Sequence, residues 1–295
     1  MMIDILYDSY HLMRNLFFIP LPKGPPMADK TLAGTALITG ASSGIGAVYA
    51  NRFAQRGHDL ILVARDEARL NTLADQFRVR HGVDVMVIPA DLSTEAGLKT
   101  VEVWLENDPS ISLFVNNAGI AGLGTVAEMH PRDISAIIQI NVHAAAILAA
   151  AAARAFTARR TGRSINIASV LALVSERFNP VYNASKAFLL SLSQSMRNEL
   201  APLGIKVQAV LPGLTRTEIL ARAGADMSAM PPEMVMEVDE LVDAALAGFD
   251  RDEDVTIPSL PDEAEFTAFT QARLKMLPNL SRNHAAARYR TGVAG

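Results

Sequence analysis

Tyr182 and Lys186 stand four residues apart in Tyr182-Asn-Ala-Ser-Lys186, and on a helix that spacing puts both side chains on one face. A phenol titrates near ~10, too high to exchange a proton readily at neutral pH. A neighbouring ammonium favours the phenolate and lowers that value, so the pair could give a proton to an oxygen or take one from it. A half-buried aromatic beside a surface lysine has the same spacing, so the rest of the chain must decide. A second chemistry-bearing stretch is Gly40-Ala-Ser-Ser-Gly44-Ile-Gly46. Glycines there let backbone amides and a helix N-terminus approach an anionic pyrophosphate. The spacing, GxxxGxG, differs from the GxGxxG dinucleotide fingerprint.

These residues need elements to hold them. The apolar runs predict strands over Ala36–Thr39, Asp59–Ala64, Asp84–Pro89, Ser112–Val115, Ser164–Ala168 and Ile205–Val210, with a short closing strand over Asp254–Pro258. Helical patterns run from the glycine turn to about Arg56, from Asp66 to His81, near Glu95–Glu106 and from Pro131 to Arg160. Two more carry Tyr182 as far as Leu203, with Gly204 placed to end the helix, and cover Glu233–Phe249. Strands alternating with helices specify βαβ units and right-handed crossovers. The expected fold class is therefore α/β: a Rossmann-type doubly wound parallel sheet in three αβα layers, one domain over residues 34–260. Ligands bind such sheets outside the carboxyl ends of the strands. Gly40, Arg65, Asp91, Asn117, Ser169 and Gly213 all fall at or just past those ends, and should share one edge.

The flanks read differently. In residues 1–33 the apolar run Leu16–Ile19 is broken by Pro20 and Pro22. It is far shorter than the ~20 apolar residues of a membrane span. No signal-type core with a cleavage site is visible either. Pro20-Leu-Pro-Lys-Gly-Pro-Pro26 reads as a stiff linker, and Met27 is a candidate start of translation. This stretch is expected to be a dispensable extension, disordered or a mis-assigned start, with a short docking helix as the alternative. Residues 261–295 are expected to form a helical tail packed on the same domain. A net charge of −4 offers no basic field for nucleic acid. The chain has no cysteine, which excludes disulfides, thiolate metal sites and a cysteine nucleophile. No metal site is expected, and a cytoplasmic location is.

Taken together, T-G-A-S-S-G-I-G, N-N-A-G, a serine thirteen residues before the tyrosine, Y-N-A-S-K and P-G-L-T-R-T resemble the short-chain dehydrogenase/reductase family over roughly Gly34 to Pro258. The motifs occur in that family's order and at its spacing. The resemblance implies a catalytic set of Asn141, Ser169, Tyr182 and Lys186. Tyr182 would exchange the proton with the carbonyl oxygen, and Ser169 would hydrogen-bond that oxygen. Lys186 would lower the tyrosine pKa and hold the nicotinamide ribose, and Asn141 would keep a water in a relay. For the cofactor it implies Gly40, Ser42, Ser43, Gly44, Ile45 and Gly46 in the loop, and Asp91 and Leu92 near the adenine. Asn117, Ala118 and Gly119 would lie below the ribose, joined by Tyr182 and Lys186. Pro212, Gly213, Thr215 and Thr217 would lie at the carboxamide and phosphate. An acidic residue after the second strand would suit the hydroxyls of an NAD ribose. Ala64 is instead followed by Arg65, which suits a 2′-phosphate, so NADP(H) is expected over NAD(H).

The expected activity is hydride transfer between nicotinamide and a carbonyl or secondary alcohol. A nucleotide-sensing regulator on the same fold is the alternative, and an epimerase or dehydratase of a related branch is a third reading. Leu171, Leu173, Val174 and Phe178 are expected along one substrate wall, with a lid holding Met227, Met230, Met234 and Met236 opposite. Arg177 is the single arginine between Ser169 and Tyr182, so an apolar ketone or aldehyde is expected over a charged substrate. The alanine-rich helix around Ala144–Ala153 and the Tyr182 helix are those the family uses to form homodimers or homotetramers.

Overall fold

Seven parallel strands form one sheet in the order β3-β2-β1-β4-β5-β6-β7. The computed structural model describes residues 34–176, 178–224 and 230–290. The strands are β1 (Thr35–Thr39), β2 (Asp59–Ala64), β3 (Val85–Pro89), β4 (Ile111–Asn116), β5 (Arg163–Ile167), β6 (Lys206–Val210) and β7 (Val255–Thr256). Order reverses between β1 and β4, as it does in a doubly wound sheet. The extension over 1–33, Arg177 and Met227 lie outside the described residues.

Two apolar layers hold the helices to the sheet. On one face α1 (Gly44–Gln55), α2 (Glu67–His81) and α8 (Val238–Asp250) bury Tyr49, Phe53, Leu70, Leu241 and Phe249 against Ile38, Leu62 and Val115. On the other face, α3 (Glu95–Asn107), α5 (Ala145–Arg159) and α6 (Pro180–Leu200) cover Leu37, Val63 and Phe114. Local signals set the helix ends. Asp66 accepts from the Arg69 amide at 3.0 Å to start α2, and Gly82 ends it at φ 68°. Thr94 caps α3 through the Gly97 amide at 3.1 Å.

The helix expected over Pro131–Arg160 is not uniform. It begins as α4 (Pro131–Ile137), widens into a π-helical stretch over Ile138–Ala144, and returns to α geometry in α5. By length and composition alone, Pro131–Arg159 could cross a membrane. Its apolar side is used internally, however: Leu148, Ala149, Ala151, Ala152 and Phe156 are buried on the sheet. The Tyr182 helix ends at Leu200, and a tighter turn over Ala201–Leu203 leads to Gly204 at φ 80°. Between β6 and α8 lies α7 (Glu218–Arg222).

Leu260–Arg290 belongs to a separate unit. It carries α9 (Glu263–Leu274), started by Asp262, whose carboxylate accepts from the Ala264 amide at 2.8 Å. None of its described residues is buried.

Candidate active site

The glycine turn is built against the end of β4. Gly40 and Gly44 adopt φ of 67° and 55°, which other residues avoid. A Cβ on Gly46 would lie 2.4 Å from the Gly40 carbonyl oxygen, so only glycine lets α1 start this close to β1. The Asn117 side-chain amide donates to the carbonyls of Thr39 at 2.8 Å and Gly40 at 3.3 Å. Thr39, the first residue of the T-G-A-S-S-G-I-G motif, accepts from the amides of Asn117 and Ala118, each at 3.0 Å. Asn117 thus acts as a strut for the turn. The N-N-A-G motif marks Asn117 in the sequence, but its bracing contacts appear only in the fold.

α1 begins differently from α2, α3 and α6. Its N-cap residue Ser43 makes no side-chain capping bond, whereas Asp66, Thr94 and Asn179 all cap their helices. The first-turn amides of α1, with no acid beside them, therefore suit an anionic diphosphate. Thr217 lies against this loop: its Cγ2 would be 3.4 Å from a Cβ on Gly44. The hydroxyl of Thr215 is engaged by the Gly213 carbonyl at 3.0 Å. Leu92 turns its side chain into the core, so only its backbone can face a ligand. Asp91 holds the turn before α3 through the Ser93 hydroxyl at 2.7 Å. That bond, aided by the charge of Arg65, keeps its carboxyl below the usual range.

Tyr182, Lys186, Ser169 and Asn141 converge at the same edge. Pro180 and Asn179 start α6 so that Tyr182 lies in its first turn and Lys186 one turn on. Both are buried. Lys186 Nζ donates to the Ile167 carbonyl at 2.9 Å, at the end of β5. It lies 5.7 Å from the centroid of the Tyr182 ring. The Ser169 hydroxyl bears on the Tyr182 phenol and favours its ionised form. Ser169 also accepts from the Leu171 amide at 3.2 Å, and Pro212 offers it a carbonyl at 3.4 Å.

Asn141 sits in the π-helical stretch and is closed on both sides. Its Oδ1 accepts from the Ile120 amide at 2.9 Å, and its Nδ2 donates to the Ile120 carbonyl at 2.9 Å and to Ser185 Oγ at 3.0 Å. Ser185 in turn donates to the Tyr182 carbonyl at 2.7 Å, a link the motifs did not reveal. A Cβ on Gly119 would lie 3.3 Å from Asn141 Oδ1 and 3.5 Å from Lys186 Nζ, so the loop after β4 passes between them.

Electrostatically the site departs from the sequence expectation. Burial pushes the Tyr182 phenol up to about 12, and the Ser169 hydrogen bond only partly opposes it. Burial also pulls the Lys186 amine down to about 8. Desolvation, which disfavours each charged form, outweighs the mutual help expected of the pair.

A family profile for short chain dehydrogenase matches residues 34–228. The chain belongs to the short-chain dehydrogenase/reductase family. It is an NAD(P)-dependent dehydrogenase/reductase. Among solved structures, a short-chain dehydrogenase from Sphingobium yanoikuyae in complex with NADPH is 50% identical, with a TM-score of 0.85, covering 87% of this chain and 100% of that one. The bulky-bulky ketone specific alcohol dehydrogenase from Comamonas testosteroni is 44% identical, with a TM-score of 0.81, covering 88% and 99%. Oxidoreductase UcpA of Salmonella typhimurium is 32% identical over 209 residues, 70% of this chain and 79% of that protein.

The residues expected along a substrate wall and a lid divide between exposed and packed positions. Val174 and Phe178 are exposed. Leu173 instead packs toward Leu190 and Leu211. Met236, expected in a lid, instead packs against the core beside α8 and pairs with Thr215. Met234 is exposed.

Proposed function

We propose that this protein is an NADP(H)-dependent reductase of apolar ketones or aldehydes, with Tyr182 as the general acid. The observation that carries the reading is the convergence of Tyr182, Ser169, Lys186 and Asn141 at the carboxyl edge of the sheet, beside an uncapped helix start. The bound nicotinamide supplies the hydride. Tyr182 gives its phenolic proton to the carbonyl oxygen, and Ser169 hydrogen-bonds that oxygen and orients it. A phenol held near 12 is fully protonated at neutral pH, as a donor must be. Lys186 stays cationic below about 8 and stabilises the phenolate that the reaction leaves. Asn141, fixed by Ile120 and Ser185, holds the end of the relay beside Lys186.

Arg65 supports NADP(H). It is exposed at the end of β2 and, among the described residues, makes no hydrogen bond or ion pair. Arg69 close by in sequence is taken by Glu218 at 3.0 Å and Asp66 at 3.3 Å. The NADPH in the Sphingobium structure and the bulky ketones of the Comamonas enzyme agree with this reading. Following NADPH oxidation by the purified protein across methyl, dialkyl and diaryl ketones, aldehydes and sugars tests it. Turnover of the apolar ketones is expected. Cofactor binding without any turnover would point to a nucleotide-sensing role, and a preference for anionic or sugar substrates would overturn the apolar pocket.

A further inference from the structure

Asn179 does more than start a helix. It is buried at 1% exposure between the first turn of α6 and the loop that follows β4. Its Oδ1 accepts from the Tyr182 amide at 2.9 Å. Its Nδ2 donates to the Gly124 carbonyl at 3.0 Å and the Leu123 carbonyl at 3.3 Å, and lies 3.1 Å from Met129 Sδ. A helix cap needs only the acceptor, which Ser, Thr or Asp would also supply. The donor half of the carboxamide is spent on the loop. Leu123 reaches further: a Cβ on Gly224, just past α7, would lie 3.8 Å from Leu123 Cδ1.

The residue before it is held in an uncommon state. Phe178 has φ 62°, a left-handed conformation unusual for an aromatic residue. Its ring meets the Tyr182 ring edge-on, with centroids 5.8 Å apart and planes at 78°. Such conformations persist where the surroundings over-determine them, and the bonds of Asn179 on the next residue provide that constraint.

We propose that Asn179 is a positioning residue that locks the Tyr182 turn to the Leu123–Met129 loop and so fixes the mouth through which a bulky ketone reaches the phenol. The inference rests on Tyr182 being the proton donor. Its two halves separate by substitution. Asn179→Ser keeps a capping hydroxyl but cannot reach the loop carbonyls. Asn179→Ala removes both functions, and Asn179→Asp keeps the acceptor while turning an oxygen toward those carbonyls.

Hydrogen–deuterium exchange of the full chain and steady-state kinetics with a methyl ketone and a diaryl ketone decide the matter. Asn179→Ser and Asn179→Asp should speed exchange across 120–129 and raise KM for the diaryl ketone about fivefold, with kcat changing less. Asn179→Ala should also speed exchange at the start of α6, lower kcat about tenfold and shift its pH profile, with kcat restored in Asn179→Asp. Unchanged exchange in the loop of Asn179→Ser would overturn the proposal. So would variants that lose thermal stability while keeping wild-type kcat, KM and pH profile. Should wild-type protein turn over no ketone, the functional reading fails, and the exchange result still decides whether Asn179 couples the loop to the helix.

Discussion

The Lys186 ammonium and the Tyr182 ring lie 5.7 Å apart, yet the lysine donates to the Ile167 carbonyl. The amine is thus anchored to the end of β5, with two of its three N–H bonds left to face other partners. Position rather than direct contact defines the pair.

Tyr182→Phe removes only the phenolic hydroxyl from a buried ring. Turnover should fall by at least about 10²-fold, the scale of general acid–base catalysis, while NADPH affinity changes little. Cofactor fluorescence titration beside a ketone assay checks both. A near-wild-type rate in this variant would remove Tyr182 from the chemistry.

Lys186 makes the pH dependence specific. Its folded pKa of about 8 lies below the ordinary lysine value of 10.5, so the unfolded chain binds more protons between those two values. Stability contributed at this site therefore rises with pH from about 8 to 10.5. Tyr182 works the other way, since its folded pKa is raised from 10.0 to about 12. Its contribution is full below 10.0 and is lost as pH rises towards 12. Denaturant titrations of wild type and Lys186→Met at pH 7 to 10 should show the rise shrinking in the variant. Reductive kcat should decline as pH passes about 8, where the ammonium is lost. A flat profile to pH 10 would contradict the assigned role.

Arg65→Asp should weaken NADPH far more than NADH, because a carboxylate would repel the 2′-phosphate and could accept from the free ribose hydroxyls. Arg69→Ala should leave that ratio nearly unchanged, since Arg69 is held by Glu218 and Asp66. Titrating each variant with both cofactors separates the two arginines. If the ratio does not move in Arg65→Asp, the residue is a solvated surface charge.

Assembly can be tested independently. The alanine face of α5 is largely spent on the sheet, but Ala150 remains exposed there, and Phe188 is exposed on α6. A symmetric dimer or tetramer would cover such positions. Light scattering at micromolar concentration should give a multiple of the 31.7 kDa chain mass, and Phe188→Glu should lower it. A monomer in both samples would refute the expectation.

Much of this protein was legible in one dimension. Apolar runs such as Leu37–Ile38 and Leu60–Val63 are buried on both faces of a parallel sheet, so they stand out without any partner being known. Turn chemistry was equally plain, because Gly40, Gly82 and Gly204 occupy backbone angles that the chain must adopt locally. The tetrad and glycine loop were legible by their order and spacing, and the Asn179-Pro180 start of α6 could have been read from its cap signal.

What the sequence could not supply were the terms that depend on three-dimensional surroundings. Pro131–Arg160 has one apolar rhythm, yet the π-helical stretch around Asn141 appears only where its carboxamide closes on Ile120 from a different segment. Asn117 turned out to brace Thr39 and Gly40, contacts separated by more than seventy residues. Met236 joined the core, and Tyr182 kept a raised pKa because burial outweighs the Ser169 hydrogen bond. Periodicity and backbone angle are properties of a few adjacent residues, whereas desolvation and long-range hydrogen bonds belong to the packed chain, and only folding sets them.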